Sequence, residues 1–418
     1  RGSFTSRVLP PMTFPERFAD LPEYAFPRLR RLLGAAEPGR VPAIDMTIGE
    51  PKHAMPEFVP RILADTAAEY GRYPPNEGTP GLRAAIAAWT LRRYGAPADP
   101  ETQVFPLNGT REGLFNAAVA LCPETKAGKR PTVLIPNPFY QVYEVAARAA
   151  GAEPVLVDAT EATGFLPDFA ALPADVLDRA AIAYVCSPSN PQGAVADDAW
   201  WDGLLALAER HDIRVFADEC YSEIWRETPP PGAWTAAARA GADPERVAIF
   251  HSLSKRSNLP GLRAGFVVAG PESVARMKQL RAYAGAPLPL PVQHAAEAAW
   301  RDEAHVDASR ALYQEKFARA DAILGGMAGY RAPQAGFFLW IAVPETIGDG
   351  EAAARLLWRR AGVRVLPGAY LGREGARGNP GSGFVRVAMV AAVEDVAEGL
   401  ARLRAVFEGE VDDEQGGA

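Results

Sequence analysis

The sequence predicts an α/β protein with a mostly parallel open sheet covered by helices on both faces, joined to a smaller α+β domain. Two patterns carry this reading. Between about residues 60 and 270, short β-rich runs alternate with longer helical patterns, and such alternation implies βαβ units. After about residue 300 the order becomes mixed helices and short strands. A chain of 418 residues, 48% of them hydrophobic, is too long for one ordinary compact unit. The predicted division is an N-terminal segment, 1–60, packing with the small domain; a large cofactor-binding α/β domain, 61–299; and a small C-terminal domain, 300–418.

Taken in order, the predicted strands of the large domain are 132-TVLIP, 153-EPVLVD, 181-AIAYVC, 213-IRVFAD, 247-VAIFH and 265-GFVVAG, with helices at 111-REGLFNAAVAL and 197-DDAWWDGLLALAERH. Only residues 255 to 264 join the last two strands, too few for a parallel crossover, so the final strand is predicted antiparallel. Beyond residue 300 the helices are 308-ASRALYQEKFARADAILGGM, 351-EAAARLLWRRA and 393-VEDVAEGLARLRAVF, and the strands 336-GFFLWIAV, 363-VRVLP and 384-FVRVAMV. The opening RGSFTS carries no structural pattern and is set aside, and the polar tail 408-EGEVDDEQGGA is expected to fray.

Charge excludes several function classes. Acidic and basic residues, 51 against 44, are mixed along the chain and leave a net charge of -7, so no nucleic-acid or membrane-surface partner is expected. Cys122, Cys186 and Cys220 are widely spaced and odd in number, which argues against a zinc cluster or a disulfide framework; no metal is expected. No apolar run approaches the roughly 18 residues of a membrane span, no signal pattern is visible, and a cytoplasmic location is expected.

Ligands of open α/β sheets sit at the carboxyl ends of the strands, and three such ends are distinctive here. Asn190 lies in 187-SPSNPQG, Asp218 and Tyr221 follow 213-IRVFA, and Ser252, Ser254 and Lys255 follow 247-VAIFH. Each alone is an ordinary cap or turn; their recurrence at successive strand ends is not. A lysine amine can bond covalently to the aldehyde of pyridoxal phosphate. Asp218 suits that cofactor's ring nitrogen, Asn190 and Tyr221 its phenolate oxygen, and Arg263, Ser252 and Ser254 its phosphate. N-G-T at 108–110 opens a predicted helix whose amides would face an anion. Tyr140 offers a flat face for the ring.

The motifs 187-SPSNPQG, 216-FADECYSEI and 252-SLSKRSNLPGLRAGF resemble those of the class I/II pyridoxal-phosphate aminotransferases of fold type I, in order and over nearly the whole chain. The resemblance implies ping-pong transfer of an amino group between amino and 2-oxo acids, with Lys255, Asp218 and Tyr221 catalytic. It implies a cofactor set of Gly109, Thr110, Arg111, Tyr140, Asn190, Ser252, Ser254 and Arg263. It also implies that Tyr73 reaches the phosphate of a neighbouring subunit, so that the working unit is a homodimer with shared sites. Arg386 matches the arginine gripping the substrate α-carboxylate, beside Asn190, and Gly49 a loop lying close over the substrate.

Within the family, 22-PEYAFPRLRRLL and 47-TIGEPKHAMP look most like the N-succinyldiaminopimelate branch of lysine biosynthesis, with 2-oxoglutarate and glutamate as the other pair. For its extra carboxylates Arg256 or Lys52 would be useful cations. Gln192, Arg256 and Ala335 depart from the commonest family pattern without removing a catalytic group. An aspartate- or aromatic-type aminotransferase, or a carbon–sulfur lyase, stays open on the same scaffold. A non-catalytic regulator lacks the expected DNA-binding module, and a nicotinamide enzyme lacks its G-x-G-x-x-G.

Overall fold

The computed structural model describes residues 13–21 and 23–410. The opening RGSFTS, Pro22 and residues 411–418 of the polar tail lie outside the described residues.

Seven strands form the main sheet: β1 Val104–Leu107, β2 Thr132–Asn137, β3 Glu153–Asp158, β4 Ala180–Cys186, β5 Arg214–Asp218, β6 Val247–Ser252 and β7 Gly265–Val268. Their order is β1-β7-β6-β5-β4-β2-β3, and β7 alone runs against the others. The predicted reversal is found: the 253–264 connection returns the chain antiparallel, with Ser252 opposite Gly265. Every residue of β4 is buried, because both faces of the sheet are covered. Ala183 and Val185 join the core on one side, Ile182 and Tyr184 that on the other, which is the alternation a pleated strand dictates.

β1 is absent from the sequence-predicted strands. Its four residues include Pro106, which breaks the β-rich pattern, and an edge strand is where a sheet tolerates proline. Its carboxyl end leads through Asn108 and Gly109 into the helix Thr110–Leu121.

A second core surrounds a three-stranded antiparallel sheet of β8 Phe338–Ala342, β9 Leu366–Pro367 and β10 Phe384–Ala388, with β10 central. Leu357, Leu400 and Leu403 from the helices Gly350–Ala361 and Val393–Phe407 fill it. Ala25, Leu29 and Leu33 of the N-terminal helix Ala25–Leu33 join the same core. The run 363-VRVLP, predicted as one strand, is divided. Val363–Arg364 pairs in parallel with Ile44–Asp45, whereas Leu366–Pro367 pairs with β10.

Candidate active site

A cavity of about 340 Å³ opens at the carboxyl ends of β1, β2, β4, β5 and β6, at the lower end of the range for small-molecule sites. Its wall includes Gly49, Thr110, Arg111, Tyr140, Asn190, Asp218, Tyr221, Ser252, Ser254, Lys255, Arg263 and Arg386. Residues predicted from separate stretches therefore converge. Tyr73 does not: it is fully exposed and lies off this cavity.

Lys255 stands on a helical turn, Leu253–Arg256, and not in the loop its sequence suggested. The Ser252 hydroxyl accepts from the Ser254 amide at 3.1 Å, capping the turn that β6 runs into. Ser252 also donates to the Ser254 hydroxyl at 2.9 Å. The Lys255 ammonium donates to the Gly49 carbonyl. Burial chiefly, with Arg386 and Arg263 assisting, lowers its pKa to about 8.

Asp218, at the end of β5, is 5% exposed and accepts from Tyr143 Oη at 2.7 Å and from the Cys220 amide at 3.3 Å. Burial pushes its carboxyl above the ordinary value, against the pull of these donors. No cationic side chain among the described residues lies in ion-pair range of it. Tyr143 itself is buried, stacked on Tyr184 with ring centroids 4.5 Å apart. Sequence reading passed over it, although it follows Tyr140 by three residues, and the two rings meet edge-on with centroids 5.8 Å apart.

Arg386, on central strand β10, is the mirror case: a guanidinium 5% exposed without a carboxylate among the described residues. Nη1 donates to Asn190 Oδ1 at 3.1 Å and Nη2 to the Thr47 carbonyl at 2.7 Å, while the buried Nε has no partner among the described residues. The group lies 4.1 Å from the Phe338 ring centroid. Burial lowers its pKa to about 10. Because Arg386 uses Asn190 Oδ1, the Asn190 amide nitrogen is left to donate elsewhere. The Tyr221 ring packs edge-on against Phe337 and Phe338.

Gly109, with φ +79°, caps the helix Thr110–Leu121, and a Cβ there would run into the Arg263 guanidinium. Arg263 itself holds a left-handed φ of 57° and donates to the Pro260 carbonyl at 2.8 Å. The helix amides, Thr110, Ser252, Ser254 and Arg263 thus form one patch of donors suited to an anion. Arg111 donates to Tyr140 Oη at 2.8 Å. Gly49 meets side chains, not open cavity: a Cβ would come within 2.5 Å of Phe338 Cζ and 3.2 Å of Phe337 Cε2.

Two expected substrate cations are not there. Arg256 is 3% exposed and turned into the core, donating to the Ala299 carbonyl at 2.7 Å and Glu303 at 2.8 Å with its guanidinium 4.9 Å from the Trp300 ring. Its neighbour Lys255 faces the cavity, so successive side chains on the turn diverge. Lys52 is exposed and outside the cavity wall.

Comparison with known proteins agrees with this geometry. Residues 41–403 match the family model "Aminotransferase class I and II". An LL-diaminopimelate aminotransferase of Dehalococcoides mccartyi is 31% identical over 94% of this chain and 98% of its own. The crystal structure of an aminotransferase from Neisseria meningitidis superposes with a TM-score of 0.89 at 37% identity, covering 94% of this chain and 99% of that one. A Thermus thermophilus structure described as a probable N-succinyldiaminopimelate aminotransferase gives 0.80 at 28%, covering 91% and 100%. With its aspartate-aminotransferase-like α/β fold and its polar cavity at the strand ends, the chain belongs to the class I and II aminotransferases.

Proposed function

We propose that the chain is a pyridoxal-phosphate-dependent aminotransferase acting on a diaminopimelate-type amino donor, N-succinyl-LL-diaminopimelate, with 2-oxoglutarate as acceptor. One observation carries the cofactor and chemistry: in the wall that holds Lys255, the cavity buries Asp218, a carboxylate without a cation among the described residues, and Arg386, a guanidinium without a carboxylate among them. Uncompensated buried charges are costly. A ligand with a cationic ring nitrogen and a substrate with a carboxylate would neutralise both.

The residues present fit pyridoxal phosphate. Lys255 would hold its aldehyde carbon, Asp218 its ring nitrogen, Asn190 and Tyr221 its phenolate oxygen, and Tyr140 its ring face. Gly109, Thr110, Ser252, Ser254 and Arg263 would hold its phosphate, with Tyr73 added by a second copy of the chain. When bound, the cofactor supplies an electron sink for the negative charge left on Cα and a carrier for the amino group.

The protein's own part is to bind, orient and move protons. Arg386 would grip the α-carboxylate with its planar guanidinium fork, fixing which Cα bond faces Lys255. Lys255, neutral in part near pH 8, would take the proton from Cα and deliver it at the cofactor's aldehyde carbon, on the far side of the amino nitrogen, both within reach of its flexible arm. Phe338, Ile48 and Gly49 line the substrate side of the cavity.

The names of the relatives support a diaminopimelate-type donor, and they include both the free and the succinylated substrate. Arg256 and Lys52 give the succinyl group no help from their positions. Arg111 is the remaining cation of the cavity wall. The test is a half-reaction screen of the loaded protein with LL-diaminopimelate, its N-succinyl derivative, glutamate, aspartate and aromatic amino acids. The reading expects the N-succinyl compound and glutamate to convert fastest. Preference for aspartate or an aromatic amino acid would overturn the substrate, and inertness toward all would overturn the function.

A further inference from the structure

The segment 47–54 crosses the cavity: Thr47 accepts from Arg386, Ile48 and Gly49 line the wall, and Gly49 accepts from Lys255. Its far end is fastened by an arrangement the chemistry above does not use. His53 Nε2 lies 2.7 Å from Lys316 Nζ, and His53 Nδ1 lies 3.1 Å from Ser309 Oγ. Both partners belong to the helix Ala304–Leu324. The imidazole also packs on Tyr313, centroids 4.5 Å apart. Asn258, three residues beyond Lys255, donates to the Ala54 carbonyl at 3.3 Å and to Ser309 Oγ at 3.2 Å. One polar cluster therefore ties together the substrate segment, the Lys255 turn and the helix.

Lys316 makes the cluster expensive. Its side chain is fully buried, and among the described residues no carboxylate pairs with it; besides His53 it has only the Tyr313 ring, 4.8 Å away. Burying an ammonium without a counter-charge opposes folding, so a methionine would serve packing better. What Lys316 gives in return is an obligatory donor aimed at His53. Burial lowers Lys316 to about 8, and burial together with Lys316 lowers His53 to about 4, so near neutrality the imidazole is an acceptor at Nε2 and donates through Nδ1.

We propose that His53 and Lys316 are positioning residues: their hydrogen bond pins segment 47–54 at the height over Lys255 at which the amino acid binds. The proposal rests on the transaminase reading, but the segment's fastening can be measured apart from turnover. Wild type, His53→Phe and His53→Gln are loaded with pyridoxal phosphate. Phenylalanine keeps the ring on Tyr313 and loses both hydrogen bonds; glutamine keeps an acceptor and a donor.

The account expects His53→Phe to take up cofactor normally, to raise KM for the amino donor about tenfold while kcat falls much less, and to speed amide exchange of residues 47–54 about tenfold. His53→Gln should restore most of both. A folded His53→Phe with wild-type KM and exchange, or a glutamine variant no better than phenylalanine, overturns it. Should His53→Phe fail to fold, Lys316→Met, which removes the buried charge, decides by the same two readouts. If wild type neither takes up cofactor nor transaminates, the functional reading falls, and the exchange contrast still decides the fastening.

Discussion

Tyr143 shows what a single hydroxyl does in this site. Burial raises Asp218, and the Tyr143 and Cys220 donors pull it back. Removing one donor to the charged form must raise the carboxyl further. Tyr143→Phe is therefore expected to lower kcat about tenfold near neutrality and to move the acid limb of the pH profile upward, because a higher pKa loses the carboxylate at a higher pH. An unmoved acid limb would mean that Asp218 does not need Tyr143. The cavity residues Asp218, Asn190 and Lys255 were legible because each sits in a short stretch whose residue types suit one chemistry. Tyr143 was not, since an aromatic at helical spacing reads as core, and it is core on every side but its oxygen. Arg256 misled for a related reason: sequence adjacency to Lys255 says nothing of direction on a helical turn.

At the scale of elements, the strand-to-helix turn after β1 is the most constrained. Gly109 combines a φ of +79° with no room for a Cβ beside Arg263. Gly109→Ala should weaken pyridoxal phosphate binding about tenfold, because φ +79° with ψ 159° is open essentially to glycine alone and relieving that strain moves the amides of the turn, while circular dichroism stays that of wild type; undiminished binding would show that the patch does not hold the phosphate. Alternation made β2 to β7 readable, and the short stretch between their apolar runs made the reversal of β7 readable. β1 escaped because its proline hides an edge strand. The division of 363–367 escaped because sheet membership is decided by tertiary partners, Ile44–Asp45 for one half and β10 for the other, and a run of five apolar and basic residues cannot specify them.

At the scale of the molecule, the cavity lies where the main sheet's strand ends meet the second core, with Cys186, Cys220 and Tyr221 belonging to that core as well as to the wall. Tyr73 stands outside it, exposed at 101%. Its proposed place is in the site of a second copy, which separates Tyr73 and Lys255 onto different chains of one site. Coexpressed Tyr73→Ala and Lys255→Ala chains should then regain activity that neither has alone, through hybrid dimers in which one site has both residues intact. Activity no higher than the better parent would put Tyr73 outside the site.

The central claim is that Lys255 is the amine that bonds to the cofactor, and its lowered pKa gives that claim a signature. An amine attacks as the neutral form, so reductive trapping of pyridoxal phosphate with borohydride, followed by peptide mapping, should label Lys255 at a rate rising with pH to half its maximum near the value of about 8 set by burial, ahead of ordinary surface lysines at about 10.4. Label on Lys255, with that profile and absent in Lys255→Ala, is the predicted result. Label spread over exposed lysines, with Lys255 unmodified across the pH range, would contradict it.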